Sequence, residues 1–139
     1  MYSLKTSHCF DAAHFLYGYD GKCRNIHGHR WEVVLEVCTE HLSEDAQTRG
    51  MYVDFGDLKN DLKEKVDYLD HCLIIESGSL KESTLQALEE ENFRIIQFEF
   101  RPTAENMAKY FYDEMKACGY QVKQVTVYET PTNAASYME

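Results

Sequence analysis

The sequence predicts an α+β protein in which two long helices cover one face of a small, mostly antiparallel four-stranded sheet. Apolar residues alternate with mostly polar ones over residues 31–38, which is the period of a strand with one more apolar face. Over residues 55–69 and 107–115 apolar residues instead recur at steps of three and four, as on the buried face of a helix. Helices packed on one side of a sheet form the two-layer α+β arrangement.

Each element follows from local signals in chain order. Strand patterns are found in four segments: residues 1–10, 31–38, 93–100 and 121–129. Capping residues mark the helices, with Asp54 before the first, Thr103 before the second and Gly119 after it. Residues 76–92 are polar and favour a helix, and we interpret them as a surface excursion without chemistry. Because so small a sheet leaves its edges open, we expect the chain to self-associate.

Composition excludes several classes of protein. The chain has 139 residues, about one domain spanning 1–139, and no apolar run near the ~20 residues that a membrane span needs. No export signal is visible, so we expect a cytoplasmic protein whose five irregularly spaced cysteines stay reduced. The net charge of −10 disfavours a nucleic-acid partner. A small anion remains possible beside Lys22, Arg24 and Arg30.

A group of histidines is the sharpest functional signal. His27 and His29 are two residues apart, so on a strand both imidazoles point to the same side. His14 lies on a segment predicted to run antiparallel nearby, which favours a metal site such as a zinc site. Cys23 is ambiguous, because it is either a fourth ligand of a closed structural site or a reactive thiol beside an open one.

Three further positions carry groups suited to catalysis or binding. Asp70 and His71 are adjacent, so the carboxylate can support the imidazole in proton transfer, although a histidine is also favoured at a helix end by the helix dipole. Glu129 falls on the core side of the last strand, where a carboxylate needs a partner such as the paired donors of an aminopyrimidine. Glu105 has a sufficient structural role in the first turn of its helix.

These motifs, in this order, resemble the family of 6-pyruvoyl-tetrahydropterin and 6-carboxy-tetrahydropterin synthases. The matching segments are FDAAH ending at His14, C-x₃-H-G-H from Cys23 to His29, LDH ending at His71, PTAEN at 102–106 and ETPT from Glu129. The resemblance covers nearly the whole chain, and only residues 73–100 are longer than in compact members.

The resemblance implies a tunnelling fold (T-fold), in which subunits assemble so that their sheets form a barrel. It implies a homo-oligomer, a hexamer made of two trimers, with active sites at subunit contacts. By the same resemblance, zinc is bound by three histidines: His14, His27 and His29.

Other roles also follow only from the resemblance. Cys23 matches the catalytic thiol, and Asp70 with His71 matches a proton relay donated by a neighbouring subunit. Glu129 matches the anchor of the pterin ring, and Glu105 matches a position near the pterin pocket. The implied substrate is 7,8-dihydroneopterin triphosphate, whose side-chain hydroxyls bind zinc as a Lewis acid.

Two questions of function stay open at this point. The terminal ETPTNAASY and the PTAEN run look more like the 6-carboxy enzymes of the queuosine pathway than the pyruvoyl enzymes, so acetaldehyde and a 6-carboxy product are expected. The alternative product is 6-pyruvoyl-tetrahydropterin. An alternative of another class is a non-catalytic, zinc-stabilised module in which Cys23 is the fourth ligand.

Overall fold

The computed structural model describes residues 1–139 as one curled six-stranded sheet with three α-helices. The strands are β1 (Tyr2–His14), β2 (His27–Thr39), β3 (Cys72–Glu76), β4 (Ile95–Phe98), β5 (Val122–Thr130) and β6 (Asn133–Tyr137). The helices are α1 (Phe55–Asp67), α2 (Glu82–Glu90) and α3 (Ala104–Ala117). The strand order is β4-β3-β1-β2-β5-β6, with parallel pairing only between β1 and β3 and between β3 and β4.

The long pair β1–β2 organises the sheet. Its antiparallel register runs without a break from Tyr2 opposite Thr39 to His14 opposite His27. Side chains alternate across each strand, so the buried residues Phe10 and Trp31 share the face that the helices cover. That face continues towards the histidines at the end of the pair.

Helices α1 and α3 close the core against this face. Each begins as the sequence predicts: the Asp54 side chain accepts a hydrogen bond from the Gly56 amide (2.6 Å), and that of Thr103 accepts from the Asn106 amide (3.3 Å). Their apolar stripes are fully buried on the inner face of the sheet, where the helix residues are Leu58, Leu62, Val66, Met107, Phe111 and Met115. No helix is long and apolar enough to cross a membrane.

The predicted fold class is confirmed, but the predicted number of strands is wrong. Strand β3 reads CLIIE, an apolar run without alternation, because it lies between two strands and its middle residues are buried. Strand β6 reads NAASY, a weak strand sequence that pairs with β5 at the edge of the sheet. Helix α2 lies in the segment interpreted as an excursion, and none of its residues is buried.

Three strand edges have no strand partner: those of β4 and β6 at the two ends of the sheet, and most of one edge of β1. On the side away from β2, strand β1 pairs with β3 only at Ala12–His14, which leaves residues 2–11 without a strand beside them. The outer edge of β6 is likewise unpaired. Such edges present free main-chain donors and acceptors to another chain.

Candidate functional site

The register of β1 and β2 brings the three predicted histidines together. His14 lies directly opposite His27, and Ala12 lies opposite His29, so His29 is the diagonal neighbour of His14 on the same face. The ring centroids are 4.5 Å apart for His14 and His27, 5.2 Å for His14 and His29, and 4.9 Å for His27 and His29. The cluster is therefore a direct product of strand pairing.

Main-chain carbonyls fix the orientation of two of these rings. His14 Nδ1 donates to the carbonyl oxygen of Pro102 (2.8 Å), and His27 Nδ1 donates to that of Asn25 (2.7 Å). A carbonyl can only accept, so in each ring the proton is on Nδ1 and Nε2 keeps its lone pair. The Nε2 atoms of all three histidines are buried, and no N–H or O–H group donates to them. Three convergent, unpaired lone pairs are what a metal ion requires.

Trp31 forms the apolar floor of the cluster. Its ring lies edge-on to His14 (4.8 Å between centroids) and to His29 (5.4 Å), and its indole Nε1 donates to the carbonyl of Ala12 (3.2 Å). Both Trp31 and His14 are almost completely buried. Burial also lowers the pKa of His29, which keeps this imidazole in the neutral form that binds metals.

Glu129 adds a carboxylate to the cluster. Its Oε1 lies 3.1 Å from Nε2 of both His14 and His29. The donor atoms of the three histidines and Glu129 all lie within 4.8 Å of one another. Two zinc ligands at ~2.1 Å from the ion are at most ~4.2 Å apart, so small side-chain rotations suffice and the set fits zinc.

Cys23 lies outside this set of donor atoms. It sits in the short 3₁₀ turn Lys22–Arg24 and is half-buried, with its carbonyl accepting from the Leu16 amide (2.9 Å). The turn also carries two of the three cations noted in the sequence. The third, Arg30, pairs with Asp11 (3.3 Å) on the sheet face that the helices do not cover.

The Asp70–His71 pair is held by strand β1. The Asp11 amide donates to Asp70 Oδ1 (2.9 Å), and the His71 amide donates to the Asp11 carbonyl (2.7 Å). Asp70 Oδ2 then lies 2.9 Å from His71 Nδ1, which leaves the exposed Nε2 of His71 free to exchange protons. The bond from the Asp11 amide is the main reason that the pKa of Asp70 is lowered.

His71 has an unusual backbone conformation. Its φ of 56° lies in the left-handed region, which costs a residue with a side chain about 1–2 kcal/mol. Such a conformation persists only where the surrounding contacts determine it, and it is common at functional sites. No feature of the sequence predicts this backbone conformation.

Two cavities adjoin these groups. A cavity of about 200 Å³ lies between the start of α3 and β6, and its lining includes Thr103, Glu105 and Glu129. A wider, open groove of about 730 Å³ on the other side of the cluster is lined by Gly28, His29 and His71, among mainly apolar residues. Glu129 therefore belongs both to the histidine cluster and to the wall of the small cavity.

The structure thus brings most of the predicted site residues into two connected places. His14, His27, His29 and Glu129 form the cluster, and Glu105 shares the small cavity with Glu129. Asp70 and His71 form a pair at the rim of the wider groove. Sequence reasoning missed the main-chain partners of the site, the carbonyls of Asn25 and Pro102 and the peptide groups of Asp11, because every residue carries such atoms.

Fold and site together define a class: an α+β protein with a candidate mononuclear metal centre of three histidines at one end of its sheet. The sequence model of the 6-pyruvoyl tetrahydropterin synthase family matches residues 3–139. The chain belongs to this family. It is also 32% identical over 142 residues to 6-carboxy-5,6,7,8-tetrahydropterin synthase from Haemophilus influenzae, covering 100% of both chains.

Solved structures agree on the fold. A protein of Wolinella succinogenes superposes with a TM-score of 0.79 at 20% identity, covering 99% of this chain and 98% of the other. The 6-pyruvoyl tetrahydropterin synthase of Caenorhabditis elegans gives 0.70 at 22% identity, covering 99% and 95%. At these identities the likeness establishes the fold of the subunit alone, which is the predicted α+β fold of tunnelling-fold subunits.

Proposed function

We propose that residues 1–139 act as one pterin-synthase-like domain that converts 7,8-dihydroneopterin triphosphate and water into 6-carboxy-5,6,7,8-tetrahydropterin, acetaldehyde and triphosphate, with water supplying the second carboxyl oxygen. The reaction would be zinc-dependent and belong to queuosine (7-deazaguanine) biosynthesis in the cytoplasm. The observation that carries the proposal is the convergence of three buried, unpaired imidazole nitrogens beside a carboxylate that also lines a small cavity.

The small cavity suits the pterin ring. Glu129 and Glu105 both line it, and an ionised carboxylate accepts two parallel hydrogen bonds from the adjacent N–H groups of an aminopyrimidine. Because Glu129 also touches the histidines, a ring held there directs its side chain towards them. In this arrangement Glu129 and Glu105 bind and orient the substrate.

His14, His27 and His29 would hold the zinc ion. When bound, zinc would supply Lewis acidity towards the side-chain hydroxyls of the substrate, which would make their protons and the adjacent C–H protons easier to remove. Binding by three protein ligands is typical of a catalytic rather than a structural zinc site. Cys23 lies outside the set of convergent donor atoms, which supports an open site rather than a closed structural one.

Cys23, Asp70 and His71 would move the protons. The thiolate of Cys23, in the turn Lys22–Arg24, would take a proton from the substrate side chain. His71 returns a proton, with Asp70 holding its ring through Nδ1 at 2.9 Å. The pterin ring is reduced at the expense of its own side chain, so no external reductant is needed.

We also propose that the chain forms a homo-oligomer, with a hexamer of two trimers as the expected size. The unpaired edges of β1 (residues 2–11) and β6 support this, because antiparallel addition of one edge to the other would continue the sheet into a neighbouring subunit.

The alternative product is 6-pyruvoyl-tetrahydropterin, which the name of the family model and that of the C. elegans protein favour. The name of the H. influenzae relative, which aligns over the full length, favours the 6-carboxy product. Incubating zinc-loaded protein with dihydroneopterin triphosphate and measuring acetaldehyde and product mass distinguishes them. We expect one acetaldehyde per pterin consumed, and a pyruvoyl product without acetaldehyde would contradict the proposal.

Replacing Cys23 with Ala, in the same assay, tests the catalytic class itself. We expect this variant to keep one zinc per chain and its fold but to lose turnover by a factor of ~10² or more. If Cys23 were a structural ligand, the variant would lose zinc and fold together, as chelation would also unfold the protein. That result would favour the non-catalytic module.

A further inference from the structure

The segment between β3 and β4 contains most of residues 76–92, which were interpreted as an excursion without chemistry, and ends at Arg94, which contacts the Asp70–His71 turn. Arg94 Nη1 donates to the carbonyl of Asp70 (3.0 Å), and its Nη2 donates to the carbonyl of Tyr68. The guanidinium also lies over the Tyr68 ring, 5.3 Å from its centroid. One side chain therefore binds two carbonyls in the residues that lead from α1 to His71.

The backbone around Arg94 is built to present this side chain. After α2, the Asn92 amide bonds to the Glu89 carbonyl (2.9 Å) and the Phe93 amide bonds to that of Leu88 (3.2 Å). With Asn92 at a φ of 64°, this is a Schellman motif that ends the helix and reverses the chain. The carbonyl of Arg94 then accepts from the Leu73 amide (3.0 Å), which ties the arginine to β3 directly after the turn.

These contacts complete a set of anchors around a strained residue. Asp11 holds Asp70 and His71 from the β1 side, and Arg94 holds Asp70 from the β4 side. The left-handed backbone of His71 needs such anchoring on both sides, because without it the turn relaxes to a commoner conformation. A guanidinium suits the task, since its rigid planar fork donates to two acceptors in a fixed geometry, whereas a lysine ammonium is a point charge on a flexible stem.

We infer that Arg94 is a positioning residue that fixes the Asp70–His71 turn in the geometry needed for proton transfer. The helix α2 and the Schellman motif at its end place Arg94 beside that turn. The role assigned to His71 rests on the proposed function, whereas the anchoring of the turn does not depend on it.

The test replaces Arg94 with Met or Lys in the full, zinc-loaded protein. Lys63→Met is the matched control, because it removes a positive charge from the same end of α1, where Lys63 pairs with Asp67 (3.1 Å). Amide hydrogen exchange is measured by NMR, and kcat and KM are measured with the pterin triphosphate. Exchange reports the anchoring whether or not the protein turns over this substrate.

We expect the Arg94→Met variant to exchange the His71 amide at least ~10-fold faster, with amides of β2 unchanged. Its kcat should fall by ~10- to 100-fold at constant KM and zinc content, since a displaced relay affects proton transfer and not binding. Arg94→Lys should lie between wild type and Met, and Lys63→Met should match wild type.

Unchanged exchange at His71 in the Met variant would overturn the inference. A raised KM with unchanged kcat and exchange would also overturn it, because Arg94 would then bind the substrate's phosphates directly. If the His71 amide exchanges faster in the Met variant but the wild-type protein does not turn over the pterin, the anchoring role of Arg94 is supported and the proposed function is refuted.

Discussion

Replacing Glu129 with Gln separates two roles that the structure allows for this carboxylate. Its Oε1 is 3.1 Å from two histidine Nε2 atoms, as a metal ligand could be, and it lines the small cavity, as a pterin anchor would. Glutamine preserves the size but replaces one acceptor oxygen with a donor NH₂ group. That group would face an N–H group of the pterin, so both parallel hydrogen bonds are weakened.

The expected loss can be worked out from the site. A hydrogen bond to a charged group contributes ~1.5–3 kcal/mol, and we take the lower value because the Glu129 side chain is 30% exposed. Two such bonds give a loss of about 3 kcal/mol, or roughly a hundredfold in the Kd of a bound pterin. Zinc stoichiometry should remain at one per chain, because the three imidazoles are intact.

Calorimetric titration measures both quantities, first with zinc and then with neopterin on the zinc-saturated protein. Glu114→Gln is the control, since Glu114 pairs with Lys65 (3.2 Å) between the two core helices. A tenfold or greater loss of zinc affinity with unchanged neopterin affinity in the Glu129 variant would refute the anchoring role. Glu129 would then be the fourth metal ligand.

Two further outcomes concern the Asp70–His71 pair. Asp70→Asn should lower the free energy of unfolding by ~1 kcal/mol at pH 6, because the Asn oxygen still accepts from the Asp11 amide but without the charge that strengthens the bond at this partly exposed site. The pKa of Asp70 in the folded protein is below its ordinary 3.8. The contribution of its charge to the free energy of unfolding is therefore complete above pH ~4 and disappears as the pH falls through the folded pKa. Urea unfolding of wild type and variant measures this, and an equal difference between them at pH 6 and at pH 2.5 would contradict the prediction. When Cys23→Ala chains and His71→Ala chains are mixed in equal amounts and refolded together, about a quarter of the wild-type turnover should return if the relay crosses subunits. At random mixing, one site in four receives an intact Cys23 from one chain and an intact His71 from its neighbour. Complete absence of turnover would place both groups in the same chain.

The metal ligands could be predicted from the sequence because their spacing follows strand geometry. His27 and His29 share a face by the period of two, and the predicted antiparallel partner brought His14 near them. Strands β3 and β6 could not be predicted, since a buried parallel strand has no alternation and NAASY has little preference for a strand.

The supporting contacts of the site were beyond sequence reasoning for a different reason. The carbonyls of Pro102 and Asn25 orient two histidines, and the peptide groups of Asp11 hold the Asp70–His71 pair. These are main-chain atoms, and the identity of a side chain does not show where main-chain atoms lie in the fold. Arg94 was likewise invisible, because its two acceptors are carbonyls whose location depends on the end of α1.

The uninterrupted pairing of β1 with β2 has a consequence for how the protein folds. A slip of one residue between these strands would turn His14 to the opposite face of the sheet, away from His27 and His29. The slipped pairing therefore offers an ion at most two of the three imidazoles. An ion present during refolding would stabilise the native pairing over the slipped one and so act as a check on strand alignment.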